Sequence, residues 1–90
     1  MKVRIIESKH CDSCKSYLEQ IQKIKHYPDY ELYSADVPEH QEQLDKWMIT
    51  DMPVVQIIDD NGEKLHQFLP GQMSARAILI MMAKIERTKQ

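Results

Sequence analysis

The chain has 90 residues, 42% of them hydrophobic, with 12 Lys and Arg against 14 Asp and Glu and a net charge of −2. That length suits one domain with a modest core. The mixed, near-neutral charge gives no long-range attraction to nucleic acid or to an anionic membrane. No apolar run approaches the roughly 20 residues of a membrane span. The first ten residues, MKVRIIESKH, hold too short an apolar run for a signal peptide. The chain is therefore expected to be soluble and cytoplasmic, where cysteines are held reduced and a permanent structural disulfide is disfavoured.

KVRIIES (2–8) has a β-branched apolar centre and predicts a buried strand. The sequence HCDSCKS follows, holding both cysteines of the chain, Cys11 and Cys14. Cys14, Tyr17, Leu18, Ile21 and Ile24 recur at helical spacing and predict a helix over 13–27, stopped by Pro28. YELYSADV (30–37) alternates as a second strand. Pro38 opens a helical stretch with Leu44, Trp47 and Met48 on one face. PVVQIID (53–59) is a third strand, DDNG (59–62) a turn, and EKLHQFL (63–69) its partner strand. Pro70 and Gly71 break that strand. Ala75, Ile78, Leu79, Met82 and Ile85 then mark a last helix capped by Ser74, and 84–90 reads as its solvated end.

The order β-α-β-α-β-β-α implies an α/β domain with a mixed four-stranded sheet and three helices. The two strands joined by a helix should pair in parallel, and the hairpin strands antiparallel.

A C-x-x-C is by itself as much half of a metal site as a redox pair. Its position decides more. It lies between a strand end and a helix start, where open α/β sheets collect their chemistry. Free backbone N–H groups and the positive end of the helix dipole favour a thiolate at Cys11. Lys9, His10 and Lys15 add positive charge, whereas Asp12 opposes it. Cys14, one turn further, faces the same side and can attack a mixed disulfide on Cys11. Structural zinc needs four ligands, and His10, His26, His40 and His66 are scattered with no paired spacing.

With CDSC at the first helix, Met52-Pro53 before the third strand, an Asn-Gly hairpin and PGQMSA before the last helix, the chain resembles the thioredoxin/glutaredoxin superfamily over nearly its whole length. In layout it is similar to glutaredoxins and other small redoxins. The resemblance implies a thioredoxin-like fold with Pro53 in the cis form beside the redox pair. It implies a dithiol oxidoreductase, with Cys11 attacking and Cys14 resolving. The Met52 backbone would align a substrate. Lys9, Gly71 and Gln72 would border the place of glutathione, and His10, Asp12 and Lys15 would tune the thiolate. No tightly bound cofactor or metal is implied, with glutathione entering as a co-substrate. Implied partners are a disulfide-containing protein, ribonucleotide reductase being one member of that class, and glutathione or a flavin-dependent reductase as electron source. Nothing calls for more than a monomer. The chain departs from glutaredoxins in Cys-Asp-Ser-Cys for Cys-Pro-Tyr-Cys and Asp51-Met52-Pro53 for Thr-Val-Pro. Two other readings use the same residues: a module binding a metal or an iron–sulfur cluster through the cysteine pair, and an adaptor domain whose pair is vestigial.

Overall fold

In the computed structural model, residues 1–88 are described; the last two residues of the segment 84–90, expected from sequence to be a solvated end, lie outside the described residues. The elements are β1 (Lys2–Glu7), α1 (Asp12–Ile21), β2 (Tyr30–Ser34), a 3-10 turn (Pro38–His40) running into α2 (Gln41–Lys46), β3 (Val54–Ile58), β4 (Lys64–Phe68) and α3 (Ala75–Thr88). The sheet order is β2-β1-β3-β4, with β1 parallel to β2 and antiparallel to β3, and β4 antiparallel to β3. This is the expected mixed four-stranded sheet with three helices.

The two central strands read as apolar runs because both faces of the sheet are covered. Alternation sends Val3, Ile5, Val55 and Ile57 to one face, where they pack with Ile21 of α1, Ile78 of α3 and Met73 of the loop before α3. Ile6 and Val54 face the other way, against Leu44 of α2, with Trp47, Ile49 and Met52 around them. One polar row crosses this second face. Arg4 is in register with Glu31 and Gln56, and Gln56 with Gln67. The Arg4 guanidinium donates to Gln56 Oε1 (3.1 Å) and to the Gly62 carbonyl (2.8 Å) and pairs with Glu31 (3.6 Å). Gln56, itself fully buried, donates on to Gln67 Oε1 at 2.9 Å. The same guanidinium lies 5.1 Å from the Trp47 ring centroid and 5.6 Å from that of Tyr33.

Four expectations are corrected. α1 ends at Ile21, six residues before the predicted end at 27. Its hydrogen bonds tighten to i−3 at Lys23 and Ile24, because the chain must turn back to start β2 beside Val3, whose N–H reaches the Asp29 carbonyl. Ile24 is left 40% exposed. Met48 does not share the face of Leu44; it lies past α2 in left-handed conformation (φ 57°) and is 82% exposed. On α3 the inward stripe is Ile78, Met81, Met82 and Ile85, while Leu79 turns outward. The Ser74 cap of α3 is present, its hydroxyl accepting the Ala77 N–H at 3.1 Å. Strands 30–37 and 53–59 of the sequence reading are shorter at their ends in the fold.

Candidate functional site

β1 delivers the chain to the cysteines. After Glu7 a turn closes with the Cys11 N–H on the Ser8 carbonyl at 3.1 Å. Cys11 is the cap of α1, extended at φ −110° and ψ 106°, and its Sγ accepts the Cys14 N–H at 3.1 Å. A cysteine thus occupies the place where Ser, Thr or Asp usually satisfies the free N–H groups of a helix start. A thiolate there would receive a charge-assisted hydrogen bond and the favourable end of the helix dipole. Cys14, one turn on, is 1% exposed, and Cys11 is half-buried. The two are joined as a disulfide, with Cα atoms 5.3 Å apart. Asp12 opens α1.

Across from Cys11 lies the loop before β3. The Met52–Pro53 peptide is cis, Pro53 is buried, and the Met52 carbonyl is 3.6 Å from Cys11 Sγ. From here an open cleft of about 380 Å³ runs between α1 and the Pro70–Met73 loop, bordered by Ser13, Tyr17, Pro53, Gly71 and Met73 among others. Among the described residues no charged side chain lines it. Gly71 has φ +90°, which only glycine adopts readily, and the Gln72 N–H closes its turn on the Leu69 carbonyl at 3.1 Å. Tyr17 ties the cleft walls together, its hydroxyl bonding the Met73 carbonyl (2.9 Å) and the Tyr27 hydroxyl (2.8 Å). Burial pushes both phenols up from the ordinary tyrosine value.

A second cleft, about 370 Å³, opens on the other side of Cys11 and is charged: Lys9, Asp12 and Lys15 border it with Glu7 and Glu19. The residues that the resemblance assigns to substrate and glutathione therefore divide. Met52, Pro53 and Gly71 line the uncharged cleft, and Lys9 lines the charged one. The His10 side chain is exposed, and its charge acts on Asp36. His40 is engaged elsewhere, bonding the Ser34 carbonyl at 2.7 Å and stacking on Tyr33. Among the described residues no three His, Cys, Asp or Glu side chains gather in a group that could hold a metal ion. A metal or cluster on Cys11 and Cys14 would need ligands from a second copy or from solution thiols.

Asp36 and Ser8 of the site belong to no motif. Asp36, read from sequence as an alternating strand position, reaches Ser8 and the Lys9 N–H at 2.7 and 2.9 Å. The Lys9 N–H and the Ser8 hydroxyl hold its carboxyl below the ordinary carboxylate value, helped by the charges of His10 and Lys9. A pairing 28 residues apart leaves no periodic signal.

Thioredoxin 1 from the thermophilic eubacterium Thermosipho africanus TCF52B has a solved structure similar to this one, with a TM-score of 0.67, 22% sequence identity and the whole of both chains covered. This chain has the thioredoxin fold. No family model matches it, and no curated protein sequence does. Within the thioredoxin fold here, the cysteine pair lies at the strand-to-helix junction, with the cis-proline loop opposite. No helix among the described residues is long and apolar enough to cross a membrane.

Proposed function

We propose that the protein is a dithiol thiol–disulfide oxidoreductase. The observation that carries this is the disulfide at the start of α1, with half-buried Cys11 receiving the Cys14 N–H and Cys14 enclosed behind it. The Cys11 thiolate attacks one sulfur of a substrate disulfide, and the other sulfur leaves as a thiolate that takes up a proton. The Cys14 thiolate then attacks Cys11 Sγ, releasing the second substrate thiol and closing the Cys11–Cys14 disulfide. The substrate has gained two electrons, which the dithiol has lost. Two molecules of glutathione, or the dithiol of a flavin-dependent reductase, return them.

The Met52 backbone, Pro53, Gly71 and Gln72 border the face on which a protein disulfide would lie, with ribonucleotide reductase one such substrate. Lys9, His10, Asp12 and Lys15 set the charge around Cys11. The cytoplasm is the compartment this reading calls for, and a monomer suffices for it.

The test is reduction of insulin disulfides together with intact-mass analysis. Cys11→Ser should abolish turnover, and Cys14→Ser should leave a mixed disulfide trapped on Cys11. A Cys14→Ser variant as active as the parent refutes the dithiol scheme. In glutathione buffers the pair should titrate between roughly −180 and −270 mV; a pair that never closes across that range refutes the redox reading.

A further inference from the structure

The turn that leads into Cys11 is held by one carboxylate. Both oxygens of Asp36 are used on consecutive residues: Oδ1 accepts the Ser8 hydroxyl at 2.7 Å and Oδ2 the Lys9 N–H at 2.9 Å. Ser8 Oγ in turn accepts the His10 N–H at 3.2 Å, and the Ser8 carbonyl accepts the Cys11 N–H at 3.1 Å. Every residue from Ser8 to Cys11 is thus tied into one turn. Asp36 is itself anchored. Its own N–H donates to Ser34 Oγ at 3.1 Å, and the Ala35 N–H extends the β1–β2 ladder onto the Glu7 carbonyl at 2.8 Å. The clamp therefore hangs from the last rung of the parallel pair, Glu7 with Ser34. Ser8 is 8% exposed, so its hydroxyl has little water to replace a lost partner.

We propose that Asp36, acting through Ser8 and Lys9, is a positioning residue that holds Cys11 in the extended cap conformation its reactivity requires. The inference rests on the oxidoreductase reading. A thiolate at Cys11 gains from the Cys14 N–H only while the turn keeps Sγ over the first turn of α1, because charge-assisted hydrogen bonds are steeply directional. The charges around Cys11 are those of Lys9, His10, Asp12, Lys15 and Glu19, with Glu7 and Asp36 behind the turn. Removing the Asp36 charge favours the thiolate, whereas loosening the turn disfavours it. Ser8→Ala separates the two, since it removes the Ser8 arm of the clamp and leaves the Lys9 arm and every charge in place.

The experiment is the pH dependence of iodoacetamide alkylation of Cys11 in the reduced full chain, with adducts located by peptide mass. Ser8→Ala should slow alkylation at pH 7 by about 3- to 10-fold, as a weakened hydrogen bond to the charged form would. The midpoint of its pH profile should move upward while the high-pH plateau stays within about twofold. A merely structural role would lower the melting temperature without moving that midpoint. Ser8→Thr, which keeps the hydroxyl, should restore the parent profile. Ser8→Ala combined with Asp36→Asn should be less than additive, since both act on one clamp. If the parent reduces insulin and has an activated Cys11, but Ser8→Ala and Asp36→Asn titrate as it does, the positioning role is overturned and the oxidoreductase reading stands. If the parent thiol reacts as an ordinary cysteine and reduces nothing, that reading falls and takes the positioning role with it.

Discussion

Arg4→Met is the most informative single perturbation of the fold. Methionine keeps the length and apolar stem of the side chain, so packing against Trp47 and Tyr33 largely survives, while the polar row across the sheet loses its donor. Gln56 is fully buried and would keep an acceptor oxygen that no donor reaches. An orphaned buried polar atom costs about 1–3 kcal/mol. Loss of the bond to the Gly62 carbonyl costs about 1 kcal/mol more, and the cation–π contact about 0.5–1 kcal/mol. Glu31 is 43% exposed at its side chain, so its pair adds little. Relief from burying a guanidinium, 11% exposed here, offsets part of the sum. The net expectation is a loss of about 2–4 kcal/mol, a drop of roughly 8 °C or more in Tm for a domain this size. Urea unfolding followed by fluorescence of Trp47, the single tryptophan, measures it. Converting Gln56 to Met as well removes the orphan and should recover at least half of the loss. A cost below about 1 kcal/mol for Arg4→Met, or a double variant worse than the sum of the singles, would refute the reasoning.

Other outcomes follow from single contacts. Ile78 of α3 is fully buried in the core, so Ile78→Ala should cost about 2–5 kcal/mol in urea melts. Asp36 has its carboxyl held low, so its contribution is present above the ordinary carboxylate value and is lost as pH falls through the lower folded value. Acid titration of stability should therefore show a smaller loss in Asp36→Asn than in the parent. Tyr17 and Tyr27 are pushed up, so their contribution is present below the ordinary tyrosine value of 10 and is lost as pH rises through the raised folded values. Stability should fall above about pH 10 in the parent, and less steeply in Tyr27→Phe, when followed by far-ultraviolet circular dichroism.

Local signals in this chain carried far. The β-branched runs at 2–8 and 53–59, the Asn-Gly turn, and the period of Cys14, Tyr17, Leu18 and Ile21 each follow from a few neighbouring residues. They specify strands, hairpin and first helix because backbone preference and side-chain period act over one or two turns of chain. The cysteine spacing likewise places one thiol at a helix start and the other a turn inside it. What needed the tertiary structure was each feature set by a residue far away. Ile24 and Tyr27 look helical, but the chain turns where β2 must meet β1, and the Tyr17 hydroxyl fastens Tyr27 outside the helix. Met48 and Leu79 fit an apolar stripe by spacing, yet the sheet and its helices leave them in solvent. Arg4 and Gln56 interrupt apolar strands and find their partners across the sheet, in register with each other and with Glu31 and Gln67. Asp36 and Ser8 meet only because β1 and β2 end side by side. Hydrogen bonds between distant segments depend on register, and register is decided by burial of whole faces rather than by the residues that form the bond.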